Sequence, residues 1–466
     1  LRSVDLMGLE FSGITADSRA VKPGFVFAAL PGAKADGRAF IAEAVARGAV
    51  AVLAPEGTVW PPGVPPRPLV TDAAPRRRLA KLAVELAGPM PAHIAAVTGT
   101  NGKTSTVDFL RQILGLAGRR AASLGTLGVI AAGRPVLETL TTPDAVTLAN
   151  TLAALAAEGF NYAALEASSH GLEQNRLDGL RIEAAGFSNL TRDHLDYHGS
   201  LAAYRAAKLR LFDTLLGKGA PVVAMADMEK ETLAALRGVA VRRGLDLRLV
   251  SVAQTRPLAG GQEVLANSMG GRRLEVLHLP GRFQADNAVL AAGIAEAMGV
   301  RDAMTLLPNL VGVRGRLERA ALLDNGAAAY VDYAHTPDAI VRVLTALRPH
   351  AAGKLVIVLG AGGDRDTGKR PLMGQAAAAL ADRVIVTDDN PRGEAPASIR
   401  AAILAASPGA VEIGDRRAAI AAGLEMLKPG DVLVVAGKGH EQGQIVAGQV
   451  LPFDDAAVIR DLAGAP

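Results

Sequence analysis

The sequence predicts an α/β protein of three α/β domains, with a central P-loop ATPase-like domain on a mostly parallel sheet and a Rossmann-like C-terminal domain. Three observations carry that expectation. The chain has 466 residues, half of them apolar, too many for one ordinary core and enough for about three. The stretch Ala95-Ala96-Val97-Thr98-Gly99-Thr100-Asn101-Gly102-Lys103-Thr104-Ser105 joins an apolar run to a helix-periodic one through a glycine turn. Strand-like runs then alternate with helical ones to the end of the chain, the pattern of a parallel sheet covered by helices.

Composition narrows the chemistry. There is no cysteine, which removes disulfides, thiolate zinc sites and cysteine nucleophiles and fits a reducing, cytoplasmic setting. A formal charge of +4 without a Lys/Arg block or an aromatic-rich basic patch argues against nucleic acid as a partner. No apolar run approaches the roughly 18 residues of a membrane span, and the first residues lack a signal pattern. The chain begins at Leu1 and not Met, which leaves a longer native N-terminus open. A monomer is expected.

Residues 1–88 read as a small α/β domain, with strands at Val26–Leu30 and Val50–Ala54 and a helix over Phe40–Arg47. Between Pro55 and Pro68 six prolines fall in fourteen residues, which only a surface loop tolerates. Two polar clusters, Asp17-Ser18-Arg19 and Lys34-Ala35-Asp36-Gly37-Arg38, stand beside strands as solvated turns or ligand loops.

Gly88-Pro89-Met90-Pro91 reads as a linker to a domain spanning 89–318. Ile94–Val97 is a buried strand and Thr104–Leu116 a helix, so Gly99 to Ser105 forms a phosphate loop at a helix N-terminus. There Lys103 offers a point charge to the outer phosphates and Thr104 a hydroxyl to Mg²⁺. The usual first glycine of such loops is absent, Val97 standing in its place. Thr141-Thr142-Pro143-Asp144 precedes a helix over Ala145–Glu158, with Thr142 expected as N-cap and Pro143 in the first turn. Tyr162–Leu165 is a strand that ends in Glu166, where a carboxylate can reach a nucleotide's metal ion. Asp193-His194-Leu195-Asp196-Tyr197-His198 gathers four metal-capable side chains, as a helix start with surface histidines also would. In the next helix Lys208 falls on the apolar stripe of Leu201, Tyr204, Leu211 and Leu215. It either snorkels to water or, held inside, becomes a neutral amine able to take up CO₂ as a carbamate.

The last domain, 319–466, follows Gly312–Glu318. Strands at Tyr330–Asp332, Lys354–Gly363, Arg383–Thr387 and Val432–Ala436 run into polar loops. In an open α/β sheet such ends share one crevice, and their acids with Arg370 and Arg392 suit a zwitterion. Gly360-Ala361-Gly362-Gly363 lacks the third glycine of a dinucleotide fingerprint and is discounted.

Taken together, Thr98–Thr104, Glu166–Gly171, Asp193–His198, Asp332–Pro337, Asp389-Asn390-Pro391-Arg392 and Gly437-Lys438-Gly439-His440-Glu441 resemble the muramyl-peptide ligases of cell-wall synthesis over nearly the whole chain. Within that family they are most similar to the members that add meso-diaminopimelate to UDP-N-acetylmuramoyl-L-alanyl-D-glutamate. The missing first glycine is a family trait. The resemblance implies an ATP-dependent, Mg²⁺-using amide ligase of peptidoglycan precursor synthesis that works through an acyl phosphate. It implies that Gly99, Thr100, Asn101, Gly102, Lys103, Thr104 and Ser105 hold ATP, that Thr104, Glu166, His194 and Lys208 serve the metal, and that Lys208 is carbamylated. Lys103, Lys208, Glu166 and His194 would be catalytic. Asn287, Arg316, Asp332 and His335 match further nucleotide contacts. Asp17, Ser18 and Lys34 match uridine-diphosphate contacts, and Thr141, Thr142, Ser168, Gln174 and Arg176 muramyl-peptide contacts. Arg370, Asp389, Asn390, Pro391, Arg392, Gly437 and Glu441 match the diaminopimelate pocket. Two positions depart from the family, Gln284 where Asn is common and Arg314 where Pro is. The alternatives are an L-lysine-adding ligase, a folylpolyglutamate synthetase-like relative and, outside enzymes, a nucleotide-gated binding or transport protein.

Overall fold

The computed structural model describes residues 4–6, 8–32, 35–136, 140–258, 260–364 and 366–464. By their contacts these divide into two compact units, Leu1–Ser251 with Leu290–Ala303, and Val252–Val289 with Met304–Pro466.

After a short antiparallel pair, Val4–Leu6 with Leu9–Phe11, the first unit builds a parallel sheet of Gly13–Thr15, Phe25–Ala28, Ala51–Pro55 and Leu69–Asp72 in chain order. The proline-rich stretch lies between the last two strands as a loop, as its missing N–H donors require. Helix Pro75–Ala87 packs Leu79, Leu82 and Ala83 against this sheet and also meets Ala149 of helix Ala145–Ala157. The residues on either side of Gly88–Pro91 therefore share one core.

In the sheet that follows, His93–Thr98 is the innermost strand of the phosphate-loop region. It pairs in parallel with Tyr162–Glu166 on one side and Ala184–Phe187 on the other. Ala121–Gly125 lies beyond the first, and Pro221–Met225 and Asp246–Leu258 beyond the second. Gly128–Ala131 closes the edge antiparallel. The chain thus reverses its direction of winding at His93–Thr98. Ligands of open α/β sheets settle at such a reversal, beyond the carboxyl ends of the strands.

The second unit carries a hairpin, Gly261–Ser268 with Gly271–Leu277, and a six-stranded sheet. Its order is Glu318–Leu322, Ala328–Asp332, Val432–Ala436, Leu355–Leu359, Arg383–Val386 and Val411–Glu412, parallel except for the first strand. Alternate residues of each strand face opposite ways. Leu355, Ile357 and Leu359 pack with helices Pro337–Leu347, Lys369–Leu380 and Pro396–Leu404, while Val356 and Val358 pack with Arg416–Glu425 and Asp455–Ala463. Both faces are buried, so these strands are continuously apolar. The five parallel strands bring their carboxyl ends to one edge.

Candidate functional site

Strand His93–Thr98 turns through Gly99 (φ 147°) and Gly102 (φ 85°) into helix Lys103–Leu116. A side chain at Gly99 would put its Cβ 2.0 Å from Ser188 Oγ, so only glycine permits this approach. The loop is held from outside by residues 188–191. Ser188 Oγ donates to Asn101 O at 2.6 Å, Asn101 N to Asn189 Oδ1 at 3.0 Å, Thr100 N to Asn189 O at 2.9 Å and Thr191 N to Thr100 Oγ1 at 2.9 Å. Nothing in the linear pattern marks this clamp, because its chemistry is that of ordinary loop residues.

Two lysines converge on one carbonyl of the loop. Lys103 Nζ donates to Gly99 O at 3.0 Å and Thr100 O at 2.9 Å, and Lys208 Nζ to the same Gly99 O at 2.7 Å. Lys208 is 1% exposed; it is held inside and does not snorkel. Burial first, then the charge of Lys103, holds its pKa well below the usual lysine value. Its nitrogen stands 4.4 Å from the centre of the Tyr204 ring. The Tyr204 hydroxyl, pushed up to about 12 by burial, donates to Thr100 Oγ1 at 3.3 Å.

Glu166 is buried at the end of its strand. Its Oε1 accepts from Thr126 N at 2.8 Å and its Oε2 from Thr126 Oγ1 at 3.4 Å. Gly125 is required beside it, since a Cβ there would lie 2.0 Å from Oε1. Glu166 and Thr104 line one small cavity with Asp108 and Ser123. Of the expected metal residues, this pair shares a space, while Lys208 and His194 each lie beside the Tyr204 ring, His194 with its centroid 6.1 Å away. His194 is half-exposed, sits at φ 51° and pairs with Asp193 at 3.5 Å. Among the described residues no three His, Asp or Glu side chains gather as ion ligands. His170 instead packs edge-on against both His194 and His198, at 5.0 and 5.5 Å.

The expected muramyl-peptide residues form one hydrogen-bonded chain. Thr141 Oγ1 meets Thr126 Oγ1 at 3.0 Å, Arg176 donates to Thr142 O at 2.5 Å and to Gln174 Oε1 at 2.7 Å, and Gln174 reaches Tyr197 OH at 3.2 Å. Thr142 is not the N-cap of the following helix. Asp144 is, accepting from Val146 N and Thr147 N. Pro143 before it has no N–H for a cap to bind, and a carboxylate suits the helix dipole. The Thr142 hydroxyl instead donates to Glu166 O at 2.8 Å and accepts from Ser168 N at 3.0 Å, and Ser168 caps helix Ser169–Glu173.

In the small N-terminal sheet, both carboxylate oxygens of Asp17 are taken by Arg19, which holds its pKa down. Ser18 is buried and donates to Glu43 at 2.8 Å. Asp36 and Arg38 repeat the Asp17–Arg19 arrangement. Lys34 lies outside the described residues.

In the second unit, Asp332 accepts from Leu317 N at 2.7 Å and Ala334 N at 2.8 Å, yet burial pushes its carboxyl up to about 6. The Arg316 guanidinium lies 4.7 Å over the Tyr333 ring, and its Nε is buried without a partner. His335 packs on Tyr333 and its Nδ1 meets Tyr333 O at 2.8 Å. Asn287 is buried in helix Arg282–Ala297. At the two positions that depart from the expected pattern, Gln284 donates to Arg316 O at 2.8 Å while its Oε1 is buried with no hydrogen-bond partner among the described residues, and Arg314 pairs with Asp454 at 2.6 Å.

The loops of the zwitterion pocket interlock. Gly363 lies against Pro391 O and Gly362 against Arg392, where Cβ atoms would intrude to 1.9 and 2.7 Å. The glycine run therefore serves loop packing. Arg392, at φ 52°, donates Nη1 to Gly363 O at 2.7 Å. Arg370 is buried and paired fork-to-fork with Glu394 at 2.8 and 3.0 Å, with Nε unpartnered; the sequence reading missed Glu394. Asp389 is buried, and desolvation raises its pKa against the pull of Arg416 and Lys438. Its carboxylate accepts no hydrogen bond among the described residues. Gly437 (φ 117°) must lack a side chain, since a Cβ would stand 2.3 Å from Asp389 Oδ2. Asn390 donates to Glu441 Oε2 at 2.8 Å. Beneath lies a fully buried pair, Arg416 with Asp455 at 2.7 and 2.8 Å, which no local pattern announces.

Family models match three successive stretches of the chain: the Mur ligase family catalytic domain over residues 10–85, the Mur ligase middle domain over 97–295, and the Mur ligase glutamate ligase domain over 315–439. A protein of Caulobacter vibrioides named UDP-N-acetylmuramoyl-L-alanyl-D-glutamate–2,6-diaminopimelate ligase is 55% identical over 462 residues, 96% of this chain and 94% of that protein. A protein of the same name from Rhizobium meliloti is 50% identical over 471 residues, 99% and 96% of the two chains. A solved structure of a ligase of that name superposes with a TM-score of 0.73 at 36% identity, covering 98% of this chain and 95% of the other.

Proposed function

The chain belongs to the Mur ligase family, and from that premise we propose that it is the ATP-dependent ligase that joins meso-diaminopimelate to the D-glutamyl γ-carboxylate of UDP-N-acetylmuramoyl-L-alanyl-D-glutamate. The observation that carries the reading is the pair of polar loops Asp389–Arg392 and Gly437–Glu441, joined by Asn390 donating to Glu441, which carry one arginine and two carboxylates, Asp389 and Glu441, in a chain that also carries a phosphate loop. A diamino diacid presents the complementary charges. The domain limits 1–88, 89–318 and 319–466 and a cytoplasmic monomer belong to the same proposal. No helix among the described residues is long and apolar enough to cross a membrane.

A carboxylate does not react with an amine at neutral pH, because oxide is too poor a leaving group. The γ-carboxylate oxygen therefore attacks the γ-phosphorus of ATP, the bond to ADP breaks, and an acyl phosphate forms. The amine nitrogen of diaminopimelate attacks the acyl carbon, phosphate leaves, and the nitrogen gives up a proton. Lys103 and the N–H groups of residues 99–105 offset the charge of the transferring phosphoryl group. Thr104 and Glu166 would supply oxygen ligands that suit one Mg²⁺, and His194 and a carbamylated Lys208 would hold a second. Mg²⁺, when bound, neutralises phosphate charge. The neutral Lys208 amine is the form that adds CO₂.

The chain of Thr141, Thr142, Ser168, Gln174 and Arg176 binds the muramyl peptide, and Asp17, Ser18 and Lys34 the uridine diphosphate. Asn287, Arg316, Asp332 and His335 are the nucleotide contacts that the second unit would supply. Arg370, Asp389, Asn390, Pro391, Arg392, Gly437 and Glu441 take the amino acid. Incubation of the protein with ATP, Mg²⁺, the UDP-muramyl dipeptide and meso-diaminopimelate should yield ADP, phosphate and the amide by mass spectrometry, with each substrate required. Phosphate release independent of the amino acid would instead favour a nucleotide-gated binding protein.

A further inference from the structure

Lys438 lies in the Gly437–Glu441 loop, and the pocket described above gives it no task. It is fully buried. Its ammonium donates to Asn390 Oδ1 at 3.2 Å, to Glu441 Oε2 at 3.3 Å and to Gly443 O. An ammonium has three N–H donors, so all are used, and they tie together the loop Asp389–Arg392, the loop Gly437–Glu441 and the hairpin Gly443–Val446 with Gln449–Pro452.

The contacts dictate orientation. Asn390 Oδ1 accepts from both Lys438 Nζ and Ile445 N, the latter at 2.8 Å. With two donors on that atom the amide is fixed, and Nδ2 must face Glu441, which it meets at 2.8 Å. Glu441 Oε2 then holds two donors, whereas Oε1 accepts no hydrogen bond among the described residues and its side chain is one-third exposed. The hairpin is fastened to the same loop by Arg392 N to Ile445 O at 3.0 Å, Ala447 N to Arg392 O at 2.9 Å and Gln444 Nε2 to Asp389 O at 2.7 Å. A buried cation is a costly way to join three segments, because apolar residues of similar size commonly serve stability as well or better. What it adds is direction and a countercharge between Asp389 and Glu441.

We propose that Lys438 is a positioning residue for the amino-acid substrate, locking Asn390 and Glu441 so that Glu441 Oε1 is presented to an ammonium of the incoming diamino acid. The inference rests on the amino-acid pocket of the proposed function.

The test is a double-mutant cycle of Lys438→Met and Glu441→Gln, read as KM and kcat for meso-diaminopimelate and for ATP. Lys438→Met should raise the diaminopimelate KM about tenfold or more and leave the ATP KM within about twofold, and in the Glu441→Gln background it should add less than about threefold. Lys438→Arg, which keeps the charge and donors, should recover part of the loss, and Lys438→Gln supplies the same cycle if Lys438→Met fails to fold. An unmoved diaminopimelate KM in a folded variant, or independent effects of the two substitutions, would overturn the role of Lys438. Wild-type protein that forms no amide with meso-diaminopimelate would instead overturn the pocket itself.

Discussion

Replacing Lys208 by Met should abolish most turnover while leaving the fold at least as stable. The magnitude follows from two lysines that share Gly99 O, at 2.7 and 3.0 Å. Their nitrogens can stand no farther apart than about 5.7 Å, and two full charges at that separation repel by about 3 kcal/mol at an effective dielectric of about 20. The Tyr204 ring at 4.4 Å favours the cation, by about 0.5 to 2 kcal/mol. Repulsion and desolvation together win, and Lys208, the more deeply buried of the two, is the one whose pKa is lowered. Between its lowered folded pKa and the ordinary 10.5, the unfolded chain binds one more proton than the folded one. Stability therefore rises with pH across that window, by at most about 1.4 kcal/mol per pH unit. Urea unfolding in CO₂-free buffer at several pH values should show this slope in wild type and its loss in Lys208→Met. Turnover should fall by about a hundred- to a thousandfold, the usual loss when a transition-state electrostatic contact is removed. Labelled ¹³C-bicarbonate should give wild type, but not the variant, a carbamate carbon signal. Activity of Lys208→Met within about threefold of wild type, or an unchanged pH slope of stability, would refute the reasoning.

Lys103→Ala should remain folded, by circular dichroism and melting, and lose turnover, since its nitrogen donates to carbonyls of the phosphate loop and packs no core; near-normal phosphate release would sink the phosphate-loop assignment. The raised pKa of Asp332, about 6 against 3.8, means that the folded state binds more protons between those values, so this group makes stability fall as pH rises through the window and level off above it. Asp332→Asn should remove that component, and an identical pH profile of unfolding would contradict the assignment. Arg392→Ala should raise the KM for meso-diaminopimelate far more than that for ATP, because among the described residues the guanidinium hydrogen-bonds only Gly363 O; equal shifts in both would argue for a structural role.

Most of the fold was legible because strands buried on both faces, such as Val432–Ala436 and Tyr162–Glu166, are continuous apolar runs bounded by polar loops. The apolar stripe marked Lys208 but left snorkelling and burial both open, and only the packing around it decides for burial. The cap of helix Ala145–Ala157 was misplaced, because Thr142 and Asp144 are both good caps by type and only the path of the chain, which turns the Thr142 hydroxyl toward the end of strand Tyr162–Glu166, decides between them. Long-range partners stayed hidden for the same reason. Glu394 under Arg370, Thr126 on Glu166 and Asp455 on Arg416 are separated by 24, 40 and 39 residues, and no local period links them. Lys438 sat within a quoted motif, but its three acceptors exist only once three segments meet.

The claim on which the rest depends is amino-acid choice. Diaminopimelate ends in an ammonium and a carboxylate, lysine in an ammonium alone, so lysine leaves the Arg392 edge unpaired at a cost of roughly 2 to 5 kcal/mol. The direct measurement is the ratio of kcat/KM for meso-diaminopimelate and L-lysine, taken in parallel on the wild-type chain with ATP and the UDP-muramyl dipeptide. The ratio should favour diaminopimelate by about 30-fold to several thousandfold; equal use of the two amino acids would contradict the account.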